Sequence, residues 1–100
     1  MALYFNITGE LTQELLSVSN KTKVSKISLA NIHATTMCTV DLYTERKLAG
    51  KFYFLKAVEL PVGATFIHEN IVFNDSGGFA LYIKLNKSAS ETPAVDVILQ

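Results

Sequence analysis

The chain has 100 residues, 49% of them hydrophobic and 18% charged, which supplies one buried core and excludes a disordered chain. Nine basic and nine acidic side chains cancel, so the basic field that displaces counterions from nucleic acid is missing and no nucleic-acid partner is expected. The single cysteine, Cys38, forms no internal disulfide, no apolar run reaches the roughly 20 residues that span a bilayer, and no leader is read ahead of Leu3-Tyr4-Phe5; the expectation is synthesis in a reducing compartment and no membrane partner.

Apolar residues recur with a period of two almost throughout, the mark of half-buried strands. Leu3 to Thr8 reads as a first strand. The window Thr8 to Ser19 fits a helical stripe through Leu11, Leu15, Leu16 and Val18, but Leu11, Gln13 and Leu15 also alternate, and strand is preferred. From Thr22 to His33, Lys23, Ser25, Ser28 and Asn31 are expected on one side and Val24, Ile27, Leu29 and Ile32 on the other; the slip between Val24 and Ile27 predicts a β-bulge. Met37 to Tyr43 alternates cleanly, with Cys38, Val40 and Leu42 facing one way and Thr39 and Asp41 the other. Thr44 to Gly50 is charged and is read as a solvated hairpin loop. In Lys51 to Leu60, Phe52, Phe54 and Val58 oppose Tyr53, Leu55 and Ala57, so both faces are apolar, as in a central strand. Pro61-Val62-Gly63 is a turn, and Ala64 to Phe73 resumes the extended pattern. Asn74 to Gly78 reads as a hairpin turn, Phe79 to Asn86 as a strand, Lys87 to Pro93 as a polar loop and Ala94 to Leu99 as the last strand. Seven to eight short strands at turn spacings of about 8–12 residues predict an all-β fold, an antiparallel β-sandwich of immunoglobulin-like or jelly-roll-like kind, as a single domain over 1–100.

Chemistry needs a constellation, and the sequence offers none. His33, His68 and Cys38 lack zinc-ligand spacing and the surroundings of a cysteine nucleophile, so Cys38 is expected as an inert core thiol. Asp41, Glu45, Glu59, Glu69, Asp75, Glu91 and Asp96 are scattered singly, and Gly77-Gly78 is followed by a strand and not by the helix a phosphate cradle requires. No metal, no cofactor and no enzymatic activity are expected. The Asn-x-Ser/Thr triplets at Asn6, Asn20, Asn74 and Asn86 read as a by-product of Ser/Thr-rich strands. What asks for an explanation is the excess of apolar strand surface. Phe52, Tyr53, Phe54 and Leu55, with Tyr43 and Tyr82, form the candidate interface. Tyr43, Tyr53 and Tyr82 fall where their neighbours are polar; ordinary cross-strand aromatic packing explains them with the fewest assumptions, and a stacking platform for sugars or bases is the alternative.

The runs Thr22-Lys23-Val24-Ser25-Lys26-Ile27-Ser28-Leu29-Ala30-Asn31, Thr39-Val40-Asp41-Leu42-Tyr43, Phe54-Leu55-Lys56 and Leu60-Pro61-Val62-Gly63-Ala64-Thr65 carry a likeness to known proteins. In this strand-and-turn pattern the chain resembles small virion structural proteins of tailed bacteriophages, those of marine and cyanobacterial phages most of all. The resemblance covers about residues 8–99 and carries no catalytic residues. It implies a sandwich that decorates or cements a capsid, made in the host bacterial cytoplasm and located in the virion. The implied partners are the major capsid protein or other virion proteins, and further copies of the chain in a homo-oligomer. A neck or tail component is the alternative within the virion, and a carbohydrate-binding module using Tyr43, Tyr53 and Tyr82 is the alternative outside that class.

Overall fold

The computed structural model describes residues 3–9, 12–17, 23–46, 50–74, 79–87 and 92–100, of which 70–74 and 87 are described by their backbone. Eight strands account for nearly all of them: β1 (Leu3–Thr8), β2 (Gln13–Leu16), β3 (Lys23–Asn31), β4 (Cys38–Arg46), β5 (Gly50–Leu60), β6 (Thr65–Asn74), β7 (Ala80–Lys87) and β8 (Ala94–Leu99). They form two four-stranded antiparallel sheets in the orders β1-β8-β3-β6 and β2-β7-β4-β5, packed as a sandwich. Only β4 and β5 are consecutive neighbours within one sheet; every other connection crosses from one sheet to the other. This wrapping is a jelly roll, and it settles the two sandwich expectations in favour of that one.

The core follows the period of two. In β7, Leu81, Ile83 and Leu85 point inward; in β8, Val95, Val97 and Leu99 do; in β4, Cys38, Val40 and Leu42 do, all of them sealed from solvent. Each such aliphatic side chain contributes roughly 1.5–3 kcal/mol through the apolar surface it removes from water. The ambiguous window before β3 supplies a strand, β2, whose Leu15 and Leu16 are both buried because the pairing with β7 slips by a residue between Glu14 and Leu16.

The bulge expected between Val24 and Ile27 is present. Both residues are buried although they stand an odd number apart, and the backbone N–H groups of Ser25 and Lys26 both donate to the Gln100 carbonyl oxygen, at 2.7 and 3.0 Å. The end of the same strand departs from expectation. With the facing reset by the bulge, Asn31 continues the inward series of Ile27 and Leu29 and is buried, whereas Ile32 is half exposed. Asn31 is tolerated there because its amide is saturated: Nδ2 donates to the carbonyls of Thr36 (3.1 Å) and Leu60 (2.9 Å), and Oδ1 accepts the His33 N–H (2.9 Å).

Strand β5 is not central, as its two apolar faces suggested, but an edge strand. Its register against β4 runs Val40↔Val58, Leu42↔Leu55, Tyr43↔Tyr53, so β5 carries an extra residue at two places. Those bulges undo the strict alternation read from the sequence: Phe52, Leu55 and Val58 pair with the inward positions of β4, Tyr53 pairs with an outward one, and Phe54 packs partly against the core. The β4–β5 hairpin forms as expected, but β4 continues through Arg46, which pairs with Gly50, so Thr44 to Arg46 belong to the strand; 47–49 lie outside the described residues. Asn74 to Gly78 is not a hairpin between paired strands, since β6 and β7 belong to different sheets; 75–78 lie outside the described residues. In the expected polar loop Lys87 to Pro93, Lys87 ends β7, Pro93 is buried and 88–91 lie outside the described residues.

Candidate functional site: a tyrosine row on an outer sheet face

The face of the sheet β2-β7-β4-β5 that is turned away from the core carries a row of four side chains. Register places Glu14 of β2 opposite Tyr82 of β7, Tyr82 opposite Tyr43 of β4, and Tyr43 opposite Tyr53 of β5. The rings of Tyr43 and Tyr82 stack, with centroids 5.5 Å apart and planes at 22°; those of Tyr43 and Tyr53 are 5.1 Å apart and tilted by 45°. Pairs of this kind contribute about 0.5–1.5 kcal/mol beyond their burial. Tyr43, the middle ring, is only 6% exposed although it stands outside the core cluster, because its neighbours in the row cover it. Tyr53 at the edge is 43% exposed.

Charged groups line both flanks. Lys51 places its ammonium 5.0 Å from the Tyr43 ring centroid, and Lys56 places its own 4.8 Å from that of Tyr53. One residue pair along the strands, Asp41 stands opposite Lys84 on one flank and Glu45 opposite Lys51 on the other. Tyr82 has its phenol pushed above the usual tyrosine range, first by burial, then by the charge of the Glu14 carboxylate and the hydrogen bond it makes with that group, with Glu45 and Tyr43 adding to the effect.

Asp41 has a further role. It is 7% exposed, its Oδ1 accepts the Ala57 N–H at 2.7 Å, and its Oδ2 is 3.6 Å from the Lys56 ammonium. Ala57 is in the left-handed region, with φ of 53°, where a side chain crowds the following carbonyl. The buried carboxylate thus fixes the β5 bulge, and the bulge aims Lys56 over Tyr53. Sequence reasoning missed this. The signal was present: Leu55 and Val58 are both inward yet an odd number apart, the same slip that revealed the bulge of β3.

Of the six candidate interface residues, Tyr43, Tyr53 and Tyr82 are brought together. Phe52 leans instead on Phe79, edge to face at 5.9 Å, with the Arg46 guanidinium 6.0 Å above the Phe79 ring. Phe54 and Leu55 serve the core. Cys38 is buried on the inward face of β4, and desolvation raises its thiol above the ordinary cysteine range, as an inert core position requires. His33 is turn-bonded: its Nδ1 accepts the N–H groups of Thr35 and Thr36, both at 3.1 Å. His68 lies on β6 beside Phe66. Among the described residues no three His, Cys, Asp or Glu side chains converge on a point that could hold a metal ion.

No protein-family model matches the chain, and no curated protein sequence matches it. Solved structures do match in fold. The Yersinia pseudotuberculosis-derived mitogen superposes with a TM-score of 0.58 at 11% identity, covering 100% of this chain and 85% of that one. The structure of infectious bursal disease virus, Gt strain, aligns with a TM-score of 0.45 at 9% identity over 99% of this chain, which spans 31% of the viral one. At such an identity the likeness to the mitogen is one of fold alone.

Proposed function

We propose that this chain is a non-enzymatic structural protein of a virion, which decorates and cements the capsid by binding the major capsid protein or a neighbouring virion protein through the outer face of the sheet β2-β7-β4-β5. The observation that carries this reading is the row Tyr82–Tyr43–Tyr53 with its charged flanks. Half-desolvated tyrosines inside a polar rim have the composition of protein–protein hot spots. The virion setting is supported by the strand-and-turn resemblance given above. A flat platform for sugars or bases needs free ring faces, and here those faces are turned to one another and to the ammonium groups of Lys51 and Lys56. Many modest contacts repeated over a symmetric shell stabilise it through avidity.

The test is sedimentation of purified protein with stripped capsids at low and high salt, with Tyr53→Ala in parallel. Wild type is expected to saturate at a symmetric multiple of the shell subunits and to stay bound at 1 M salt, where the Debye length is about 3 Å. Tyr53→Ala is expected to weaken binding by at least about tenfold, the effect of losing a hot-spot anchor. Saturation at about a dozen copies would assign the chain to the neck or tail. Retention on a host polysaccharide with no binding to heads would replace this reading with the carbohydrate module.

A further inference from the structure

We infer that a second copy of this chain adds to the free edge of β6, so that two sandwiches join through an antiparallel, twofold β6–β6 seam centred on Ile67. The sandwich has four sheet edges, and the two of the sheet β2-β7-β4-β5 are guarded. Strand β2 has only 4 residues and a register slip. Strand β5 is broken by two bulges, holds Ala57 at positive φ and carries Lys51 and Lys56, all devices that keep an edge from pairing. On the other sheet, β1 has 6 residues in unbroken register with β8. Strand β6 is the longer of the two edges in that sheet, with 10 residues; Thr65 to Glu69 pair with β3 in unbroken register, and a slip follows between Glu69 and Phe73.

The hydrogen-bond parity of β3 fixes what that edge presents. The Asn31 N–H goes to Ala64 of the β6 side, and the Ile32 N–H goes to Ala94 of the β8 side. Residues of β3 therefore alternate between the two neighbours, so Ile27 and Leu29 bond to their partners His68 and Phe66. The N–H and C=O groups of Thr65, Ile67 and Glu69 are left pointing away from the sheet, towards an edge on which no described strand lies.

A copy related by a twofold axis at Ile67 matches this edge group by group. Ile67 meets Ile67, Phe66 meets His68, and Thr65 meets Glu69, so no like charges face each other. Ile67, 50% exposed, gains an apolar neighbour. The outward pairs Ile67–Ile67 and Thr65–Glu69 exchange roughly six backbone hydrogen bonds in all. On the outer face the register row Tyr4–Ile98–Ser28–Ile67 would run on across the axis into its own copy, making one row over eight strands that is apolar except at Ser28. A second copy suits this edge because the twofold sets the half-exposed Ile67 on its own copy and Glu69 opposite the uncharged Thr65. This surface is separate from the tyrosine row and does not depend on the function proposed for it.

The test is sedimentation equilibrium of the purified chain, with circular dichroism to verify folding, from about 1 µM to 1 mM, the range in which a small interface dissociates. Wild type is expected to pass from the monomer mass of 11.0 kDa to twice that value. Ile67→Pro removes an N–H that points away from β3, a substitution edge strands accept, and is expected to stay folded and monomeric at every concentration. Ile67→Lys sets like charges on the axis and is expected to do the same. A wild-type chain that stays monomeric to 1 mM, or a dimer that persists in both folded variants, overturns the proposal.

Discussion

Replacing Asp41 by alanine probes whether one buried carboxylate holds the shape of the tyrosine-bearing edge. The bond from the Ala57 N–H is 2.7 Å long and ends on a charged acceptor, a class that contributes about 1.5–3 kcal/mol net. The Lys56 ammonium is 3.6 Å away, but its side chain is 64% exposed, so screening limits that pair to about 0–1 kcal/mol. Asp41→Ala is therefore expected to cost about 2–3 kcal/mol, mostly for a backbone donor left without its acceptor, which for a chain of this size lowers Tm by roughly 10–20 °C. Asp41→Asn keeps an acceptor of nearly the same shape and loses only the charge, so about 1 kcal/mol is expected. Ala57→Gly removes a left-handed penalty of about 1–2 kcal/mol and adds about 0.5–1 kcal/mol of unfolded-chain freedom, so it should be neutral or slightly stabilising. Urea denaturation of the single variants and of Asp41→Ala combined with Lys56→Ala separates the hydrogen bond from the ion pair. If Asp41→Ala costs no more than Lys56→Ala, the bulge does not depend on the carboxylate and the reasoning fails.

Four further outcomes follow from the same geometry. Tyr43→Ala should cost about 3–5 kcal/mol in chemical denaturation, the value of a large buried ring, and a Tyr43/Tyr82 double-mutant cycle should return a coupling of about 0.5–1.5 kcal/mol. Cys38 should react with a thiol reagent only after unfolding, and Cys38→Ser should destabilise by roughly 1–3 kcal/mol through a hydroxyl buried without an assured partner. Because the folded state raises Tyr82 above the tyrosine range, its contribution is fully present below the ordinary pKa of about 10 and is lost as pH rises through the raised value; Tyr82→Phe should flatten that alkaline decline, with the pH dependence of Tm as the readout. Asn31→Ala should cost about 2–3 kcal/mol in thermal unfolding, since it leaves the Thr36 and Leu60 carbonyls and the His33 N–H without their partner.

Much of the fold was legible because one physical rule, alternation across a half-buried sheet, governs most of the chain. Cys38, Val40 and Leu42 were placed correctly by it, as were Leu81, Ile83 and Leu85, and the Val24–Ile27 slip disclosed a bulge. Alternation reports facing, not neighbours, and there it failed. Phe52, Tyr53, Phe54 and Leu55 look like a strand buried on both sides, but two bulges in an edge strand turn Leu55 and Phe54 to the core and leave Tyr53 outside. Asn31 was assigned to the polar side by its chemistry, while its three hydrogen bonds, to partners between two and 29 positions away, make burial tolerable. The tyrosine row was half visible. Each ring could be put on an outward position, but their meeting required the order β7-β4-β5, which follows from long-range pairing and not from local pattern.

The place of β8 between β1 and β3 carries a consequence for how the chain is made. Val95, Val97 and Leu99 pair with Ile7, Phe5 and Leu3 on one side and with Asn31, Leu29 and Ile27 on the other. Until β8 has been synthesised, β1 has no neighbour in its sheet, and β3 is paired on its β6 side alone. Ile7, Ile27 and Leu29 therefore lack their β8 neighbours until Ala94 to Leu99 have been made. Closing contacts so distant along the chain is slow, and the exposed interval is a window for association between incomplete chains. A truncation ahead of Ala94 should yield an aggregating product and not a smaller folded one.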